Sequence, residues 1–218
     1  MNAIHALPRR HSITVTEYVR MGEAHVFAHD ARLELMEGEI VEMAPIGSAH
    51  AAVVDTLDTL LRGLAPGAIV RVQGPLVLGD RSVPQPDVML LRPRADRYYN
   101  SHPVAADALL VVEVADTTVD YDLEIKRPLY ARAGVAELWI VDINGHELHV
   151  LREPELDYSV HHVVTGSDKV TVAGLGRVGL EVSALFHSDR MLCTRSYAGG
   201  VTSSAAADPP DPYTTCSA

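Results

Sequence analysis

Two acidic residues in this sequence lie at the start of, or inside, apolar strand-like runs, where a carboxylate is unusual. Asp87 follows Pro86 at the start of a strand-like run, and Glu113 lies inside the apolar segment VVEVA. Charges are rarely buried without a partner or a metal ion, so two convergent carboxylates would make an oxygen-ligand site for Mg²⁺ or Mn²⁺. A structural alternative is equally open, in which Glu113 pairs with an arginine or sits at the exposed end of its strand.

Lysine is scarce in the chain, which gives weight to the position of each one. The 18 basic residues include only two lysines, Lys126 and Lys169. Lys126 lies at the predicted start of the helix after Glu113, a placement that Pro128 supports because proline is tolerated in the first helical turn. An ammonium near a metal ion suits phosphodiester hydrolysis, since it can orient water or stabilise negative charge. The alternative is an ordinary surface lysine.

The elements that must position these residues mix helices and strands. The first half of the chain predicts a helix at 14–27 with Thr16 as its N-cap, a hairpin at 32–43 with Glu37-Gly38 at the tip, and a helix capped by Ser48 that ends at Pro66-Gly67. Strand-like runs follow at 68–78, 87–91 and 108–114. The last run is almost wholly apolar, so we expect a central strand that is buried on both faces.

The second half continues the same alternation. It predicts a helix at 122–133, strands at 137–143 and 147–151 joined across Asn144-Gly145, a further hairpin from 160–164 and 169–173, and a short helix at 182–186. The sequence therefore predicts a mixed α/β (α+β) fold with one central mixed sheet flanked by helices.

The order of these motifs carries a resemblance. Pro86-Asp87, then Glu113 in an apolar strand, then Lys126 resembles the PD-(D/E)XK nuclease superfamily. There the lysine usually stands two residues after the second acid, where this chain has Ala115, and a known variation moves it to the next helix. More narrowly, the chain resembles the Uma-two family of restriction-endonuclease-like proteins over about residues 14–187. The resemblance rests on LELMEGEIVEMAP at 33–45, VPQPDVMLLRP at 83–93, LLVVEVADTTVDYDLEIKRPLYARAGVAELWIVD at 109–142, and the helix that contains His50.

This resemblance implies a restriction-endonuclease-like fold with a divalent-metal site. It assigns Asp87 and Glu113 to Mg²⁺ or Mn²⁺, with the backbone carbonyl of Val114 as a further ligand, and makes Lys126 the catalytic lysine. Glu34, the acid of the first hairpin, completes the implied site. His50 is a further candidate, although a histidine at a helix start is often only a cap or a surface residue.

Composition limits the possible partners. The chain of 218 residues carries a net charge of −11, which argues against coating nucleic acid by bulk charge but leaves room for an enzyme that touches it at one site. Arg92, Arg94 and Arg97 form a basic cluster close to Asp87 that could grip phosphates, and a solvated loop explains them equally well. No apolar run is long enough to cross a membrane, and the two cysteines fit a reducing cytoplasm.

These observations lead to one interpretation of the chain and two alternatives. We expect a flexible segment at 1–12, a nuclease-like domain at 13–190 and a flexible tail at 191–218. The predicted function is metal-dependent hydrolysis of DNA by an endonuclease. Cutting both strands needs two active sites, so a homodimer is a reasonable expectation. One alternative is a binding or assembly module that keeps the fold without catalysis, and the other is a hydrolase for another phosphate ester, which the same residues would serve.

Overall fold

The computed structural model describes residues 10–175 and 179–186, so most of the predicted segment 1–12 and all of the predicted tail 191–218 lie outside the described residues. The strands are β1 (Leu33–Met36), β2 (Glu39–Glu42), β3 (Ile69–Val72), β4 (Val88–Leu91), β5 (Ala108–Ala115), β6 (Glu137–Asp142), β7 (Glu147–Pro154), β8 (Tyr158–Thr165), β9 (Lys169–Thr171) and β10 (Gly179–Glu181). The α-helices are α1 (Val15–Glu23), α2 (Ser48–Leu64), α3 (Val119–Tyr121) and α4 (Arg127–Arg132), with a π-helical segment (Asp122–Lys126) that joins α3 to α4. Short 3-10 helices lie at Ala105–Asp107, Ala173–Leu175 and Val182–Leu185, the last where a short helix at 182–186 is predicted.

A six-stranded mixed sheet with the order β3-β4-β5-β6-β7-β8 lies at the centre of the fold. Strands β5 and β6 run parallel, and every other neighbouring pair in this sheet is antiparallel. The parallel pair requires a crossover, which the segments from α3 to α4 provide. The predicted mixed α+β class and the central position of the apolar strand 108–114 are confirmed.

Each face of the sheet has its own apolar core. Helix α2 covers one face, where Val53, Leu57 and Leu61 pack against alternate residues of β4, β5 and β6. Helix α4 and the β1–β2 hairpin cover the opposite face, with Leu129 and Met36 among the contacts. Side chains alternate between faces along a strand. A strand between two covered faces therefore has no exposed position for a polar side chain, except near its ends.

The β1–β2 hairpin closes through the tight turn that Glu37-Gly38 predicts. Glu37 and Gly38 have φ angles of 50° and 86°, the left-handed pair that a two-residue hairpin turn requires. A side chain at position 38 would also collide with Ser12, so glycine is needed there for space as well as for backbone conformation. This turn sets the register that brings Glu34 to the inner side of the hairpin.

Lys126 directly precedes α4, and Pro128 lies in the first turn of that helix as expected, but Lys126 does not begin the helical stretch. It ends the π-helical segment inside one continuous helical stretch that begins at Val119. The Arg127 N–H donates to the Asp122 carbonyl five residues earlier. Proline supplies no N–H and its ring collides with the carbonyl four residues before it, so a regular α-helical ladder cannot pass through Pro128. A π turn lets the helix continue past this point.

Other element predictions need smaller corrections. The N-cap of α1 is Thr14 rather than Thr16, and α2 has Gly47 rather than Ser48 at its N-cap. Only Ile69–Val72 of the predicted strand 68–78 lies in the sheet. The hairpin expected from 160–164 and 169–173 is wrong, because β8 pairs with β7 while β9 pairs with β10. Among the residues that the structure describes, no helix is both long and apolar enough to cross a bilayer.

Candidate active site

Asp87 and Glu113 meet at one end of the central sheet. Val88 of β4 pairs with Val112 of the antiparallel strand β5. Asp87, which precedes Val88, and Glu113, which follows Val112, therefore lie at the same end of the sheet. Asp87 Oδ2 accepts hydrogen bonds from the Val114 N–H at 2.9 Å and from His50 Nε2 at 3.1 Å, with the histidine in the tautomer that donates. Burial tends to raise the pKa of Asp87, but His50 and the Val114 N–H outweigh it and the pKa is lowered.

Glu113 is buried in β5 and points toward helix α4. Its Oε1 accepts a hydrogen bond from the Tyr130 hydroxyl at 2.6 Å and lies 3.1 Å from Lys126 Nζ. The buried carboxylate therefore pairs with a lysine, not with an arginine. Burial raises the pKa of Glu113 to about 8, the Lys126 ammonium opposes that rise, and the carboxylates of Asp122 and Asp87 add to it.

Lys126 stands among three carboxylates with only 2% of its side chain exposed. Its Nζ lies 3.1 Å from Glu113, 3.5 Å from Glu34 and 3.8 Å from Asp122. Burial lowers the pKa of Lys126, but the three carboxylates more than compensate and raise it above its usual value. Lys126 therefore remains an ammonium at neutral pH.

Glu34 reaches the same place from the β1–β2 hairpin and is almost fully buried. Its Oε1 accepts a hydrogen bond of 2.6 Å from the Gln85 N–H, two residues before Asp87. Its Oε2 accepts no hydrogen bond from any residue that the structure describes and faces Lys126. The usual expectation for a hairpin glutamate, that it is solvated, does not hold here.

These side chains border a cleft of about 120 Å³ that opens to solvent. Glu34, Asp87, Glu113, Val114, His50 and Asp122 line it, and the loop before α2 and residues 116–118 form other parts of the wall. Val114 contributes its backbone N–H to Asp87 while its side chain packs in the core beneath α2. The cleft thus gathers every residue that the resemblance assigned to the site, apart from Lys126, which lies directly behind Glu113 and Glu34.

Comparison with known proteins bears on this arrangement. The family model Uma2, described as "Putative restriction endonuclease", matches residues 15–183. The chain belongs to the Uma2 family. A crystal structure from Anabaena variabilis, described as "a putative nuclease belonging to DUF820", is similar to this Uma2 chain with a TM-score of 0.64 and 16% identity. The similarity covers 80% of this chain and 97% of that one, which shows a shared fold. No curated protein matches the chain.

The cleft of this Uma2 protein fits a divalent cation by its donor chemistry. Hard cations prefer carboxylate oxygens, which Asp87, Glu113 and Glu34 supply, and the buried Glu34 Oε2 lacks a hydrogen-bond donor. Among the described residues, no three Asp, Glu, His or Cys side chains form a ready-made metal cluster. The Lys126 ammonium lies between Glu34 and Glu113, so these carboxylates already have a cation beside them.

Asp122 and Tyr130 belong to the site although the sequence did not predict them as site residues. Asp122 is buried in the π-helical segment, where its Oδ2 accepts a hydrogen bond from the Thr118 hydroxyl at 3.1 Å. Burial raises the pKa of Asp122 to about 6, against the opposing effect of Lys126. The spacing of four residues between Asp122 and Lys126 was a usable signal, because such residues share one side of a helix.

Proposed function

We propose that this protein is a divalent-metal-dependent endonuclease that hydrolyses phosphodiester bonds of DNA. The observation that carries the proposal is the convergence of Glu34, Asp87 and Glu113, from separate elements, around one cleft, with Lys126 in contact with Glu34 and Glu113 behind it. Membership of a family described as restriction endonucleases and the nuclease-like fold support the reaction class. Fold alone does not decide function, so the argument rests on the residues.

Each residue has a distinct part in this proposal. Asp87 and Glu113, with the carbonyl of Val114, would hold Mg²⁺ or Mn²⁺, which when bound polarises the phosphate and lowers the pKa of coordinated water. Lys126 keeps its proton, because its carboxylate neighbours raise its pKa, so it acts as a hydrogen-bond donor and positive charge and not as a general base. Glu34 positions the Lys126 ammonium, and His50 orients Asp87 through their hydrogen bond.

The direct test is nicking of supercoiled plasmid with Mg²⁺, with Mn²⁺ and with EDTA. Asp87→Asn and Glu113→Gln should each reduce metal-dependent nicking on the order of 10²-fold or more. Glu42→Gln removes an exposed carboxylate from the hairpin and should cut like the wild type. Folded wild-type protein that cleaves neither DNA nor RNA with any divalent metal would refute the enzyme proposal.

A binding or assembly module is the second candidate. The pairing of Lys126 with Glu113 and Glu34, without a ready-made cluster of three metal ligands among the described residues, favours it. Thermal unfolding with and without Mn²⁺ separates the two candidates. An enzyme should show a rise in Tm that Asp87→Asn abolishes, whereas a module has no need to respond to the metal.

The proposal also covers the cellular location and the oligomeric state of the protein. We place the protein in the cytoplasm because its two cysteines suggest no disulfide framework. We also propose a homodimer, since cleavage of both strands needs two active sites. Sedimentation velocity at increasing concentration tests the second point, and a monomer throughout the range of activity would contradict it.

A further inference from the structure

The loop after β4 projects arginine and tyrosine side chains from an otherwise acidic chain. Residues 92–104 read RPRADRYYNSHPV, with three arginines and one aspartate. Arg97 and Tyr98 have φ angles of 49° and 62°, a left-handed conformation that non-glycine residues seldom adopt. The Tyr98 side chain is buried and its hydroxyl donates to the Arg92 carbonyl, whereas Tyr99 is 90% exposed. The backbone of this loop thus holds one tyrosine inward and presents the next one to solvent.

The arginines of this region differ in whether a carboxylate neutralises their charge. Arg94 is neutralised, because it makes two hydrogen bonds to the Asp96 carboxylate and stacks 4.2 Å above the Tyr98 ring. Arg71 and Arg92 instead donate to backbone carbonyls, those of Arg97 and Ala106. A carbonyl fixes a guanidinium in place without cancelling its charge.

Arg71, Arg92 and Arg97 form no salt bridge with any carboxylate in the described part of the chain. Arg92 and Arg97 are exposed, and Arg71 is half-buried beside the Tyr98 ring. We call Arg71, Arg92, Arg97 and the exposed Tyr99 the arginine–tyrosine surface. It keeps a local positive charge while the whole chain carries −11.

We propose that the arginine–tyrosine surface binds the nucleic-acid strand outside the cleft. Guanidinium groups pair with phosphates through forked hydrogen bonds, and an exposed tyrosine provides a stacking platform for a base. A lipid headgroup layer would match the charge as well, and binding to anionic vesicles would reveal it. The inference rests on the proposed function, because it names the substrate that the nuclease cleft would receive.

The position of the surface relative to the cleft agrees with this role. Strand β4 connects Asp87, in the cleft, to Arg92, at the start of the loop. Its four residues span about 13 Å at roughly 3.3 Å per residue. The loop then returns along the edge of the sheet, where Arg71 of β3 contacts the Arg97 carbonyl. A strand whose phosphate lies in the cleft would therefore reach these arginines within a few nucleotides.

Binding can be tested without cleavage, by fluorescence anisotropy of labelled duplex and single-stranded DNA in EDTA over a range of salt. Arg92→Gln/Arg97→Gln should raise Kd roughly tenfold at about 50 mM salt and reduce the slope of log Kd against log salt by about 1.8. Tyr99→Ala should weaken binding to the single strand about tenfold with little change in that slope. The matched control is Arg20→Gln/Arg81→Gln, which removes the same charge from two exposed arginines that form no salt bridge in the described part of the chain and should bind like the wild type.

Three results would overturn the inference: no binding of DNA by the wild type at low salt, equal weakening in the control, or binding of anionic phosphatidylserine vesicles, and not DNA, that depends on Arg92 and Arg97. The test is separable from the proposed function. Arginine variants that bind and cut like the wild type refute the surface and leave the nuclease intact. Variants that lose DNA binding, in a protein that never cleaves, support the surface and refute the nuclease.

Discussion

Lys126 carries a positive charge into a region where three carboxylates are almost fully buried. Glu34, Glu113 and Asp122 all lie within 4 Å of its ammonium, and none of the three forms a salt bridge with an arginine of the described chain. The residue therefore has a structural function before it has any catalytic one. Its removal would leave several buried negative charges without a cation, which is among the most costly changes a protein core can undergo.

We predict that Lys126→Met lowers the free energy of unfolding by about 3–5 kcal/mol, as breaking a buried ion pair does. Glu113→Gln should stay within about 1 kcal/mol of the wild type, because it replaces a buried acid whose pKa is already raised to about 8 with a neutral amide, whose oxygen can still accept from the Tyr130 hydroxyl. Urea denaturation in EDTA gives both values. The double variant should recover part of the Lys126→Met loss, since it has fewer unpaired buried charges.

The chain provides a matched control for this prediction in its other lysine. Lys169 is exposed on β9, so Lys169→Met should change the free energy of unfolding by no more than about 0.5 kcal/mol. Equal losses in Lys126→Met and Lys169→Met would show that the buried ammonium does not balance the carboxylates.

At the scale of elements, the π-helical segment decides which side chains of the crossover face the sheet. It places Asp122 and Lys126 in the interior and leaves Ile125 about half exposed. The extra residue in the π turn precedes Pro128, whose missing N–H interrupts the α-helical ladder. Pro128 thus lies in the first turn of α4, as the sequence predicts, and the π turn before it directs Lys126 at Glu113.

The accuracy of the sequence predictions follows from how local each signal is. Glu113 could be found because one charge in an otherwise apolar strand is conspicuous, and the Glu37-Gly38 turn because few residues adopt its backbone angles. Asp122 was missed as a site residue because a charge on a helix is normally solvated, and its burial depends on the π turn. The pairing of β9 with β10 was missed because the connection from β8 to β9 is the shorter one, so a tight hairpin between those strands is the simpler expectation, while register across a longer connection has no local signature.

The start of α1 provides a test of a local correction. The Thr14 side chain accepts a hydrogen bond from the Glu17 N–H while the Glu17 carboxylate accepts from the Thr14 N–H, a reciprocal capping box. Thr14→Ala should destabilise the helix by about 1 kcal/mol. Since α1 has no buried residue, we expect local opening, seen as roughly fivefold faster amide hydrogen exchange in α1. Thr16→Ala should leave exchange nearly unchanged, and a larger effect at Thr16 than at Thr14 would contradict the assignment.

At the scale of the whole molecule, the local charge of a surface matters more for binding than the net charge of the chain. The acidic excess includes the buried carboxylates of the cleft, whereas the arginine–tyrosine surface lies at the edge of the same sheet. A net charge of −11 should therefore repel DNA at long range and still permit binding at one oriented surface. This combination favours brief, salt-sensitive contact with nucleic acid and disfavours coating of it.

A pair of histidines, distant in sequence from Lys126 and its carboxylate neighbours, contributes to the pH dependence of the stability of the fold. His149 Nδ1 and His161 Nε2 lie 3.0 Å apart across β7 and β8, so one ring donates to the other when one proton is shared between these atoms. Burial lowers the pKa of both rings, and the charge of Arg127 lowers that of His161 further. Below the unfolded-state pKa of about 6.5, the unfolded chain therefore binds more protons at these two positions than the folded protein does.

The two histidines should therefore reduce stability as pH falls from about 7.5 to about 5.5, across the unfolded-state pKa. Glu113 and Asp122 act in the opposite direction in this range, because their raised pKa values make the folded state bind protons first. Comparison with a variant isolates the histidine contribution: His149→Gln/His161→Gln keeps a hydrogen bond between side chains but cannot titrate. Urea unfolding at both pH values should show a smaller acid-induced loss in this variant than in the wild type. An equal or larger loss in the variant would mean that the folded protein accepts protons at these rings as readily as the unfolded chain does.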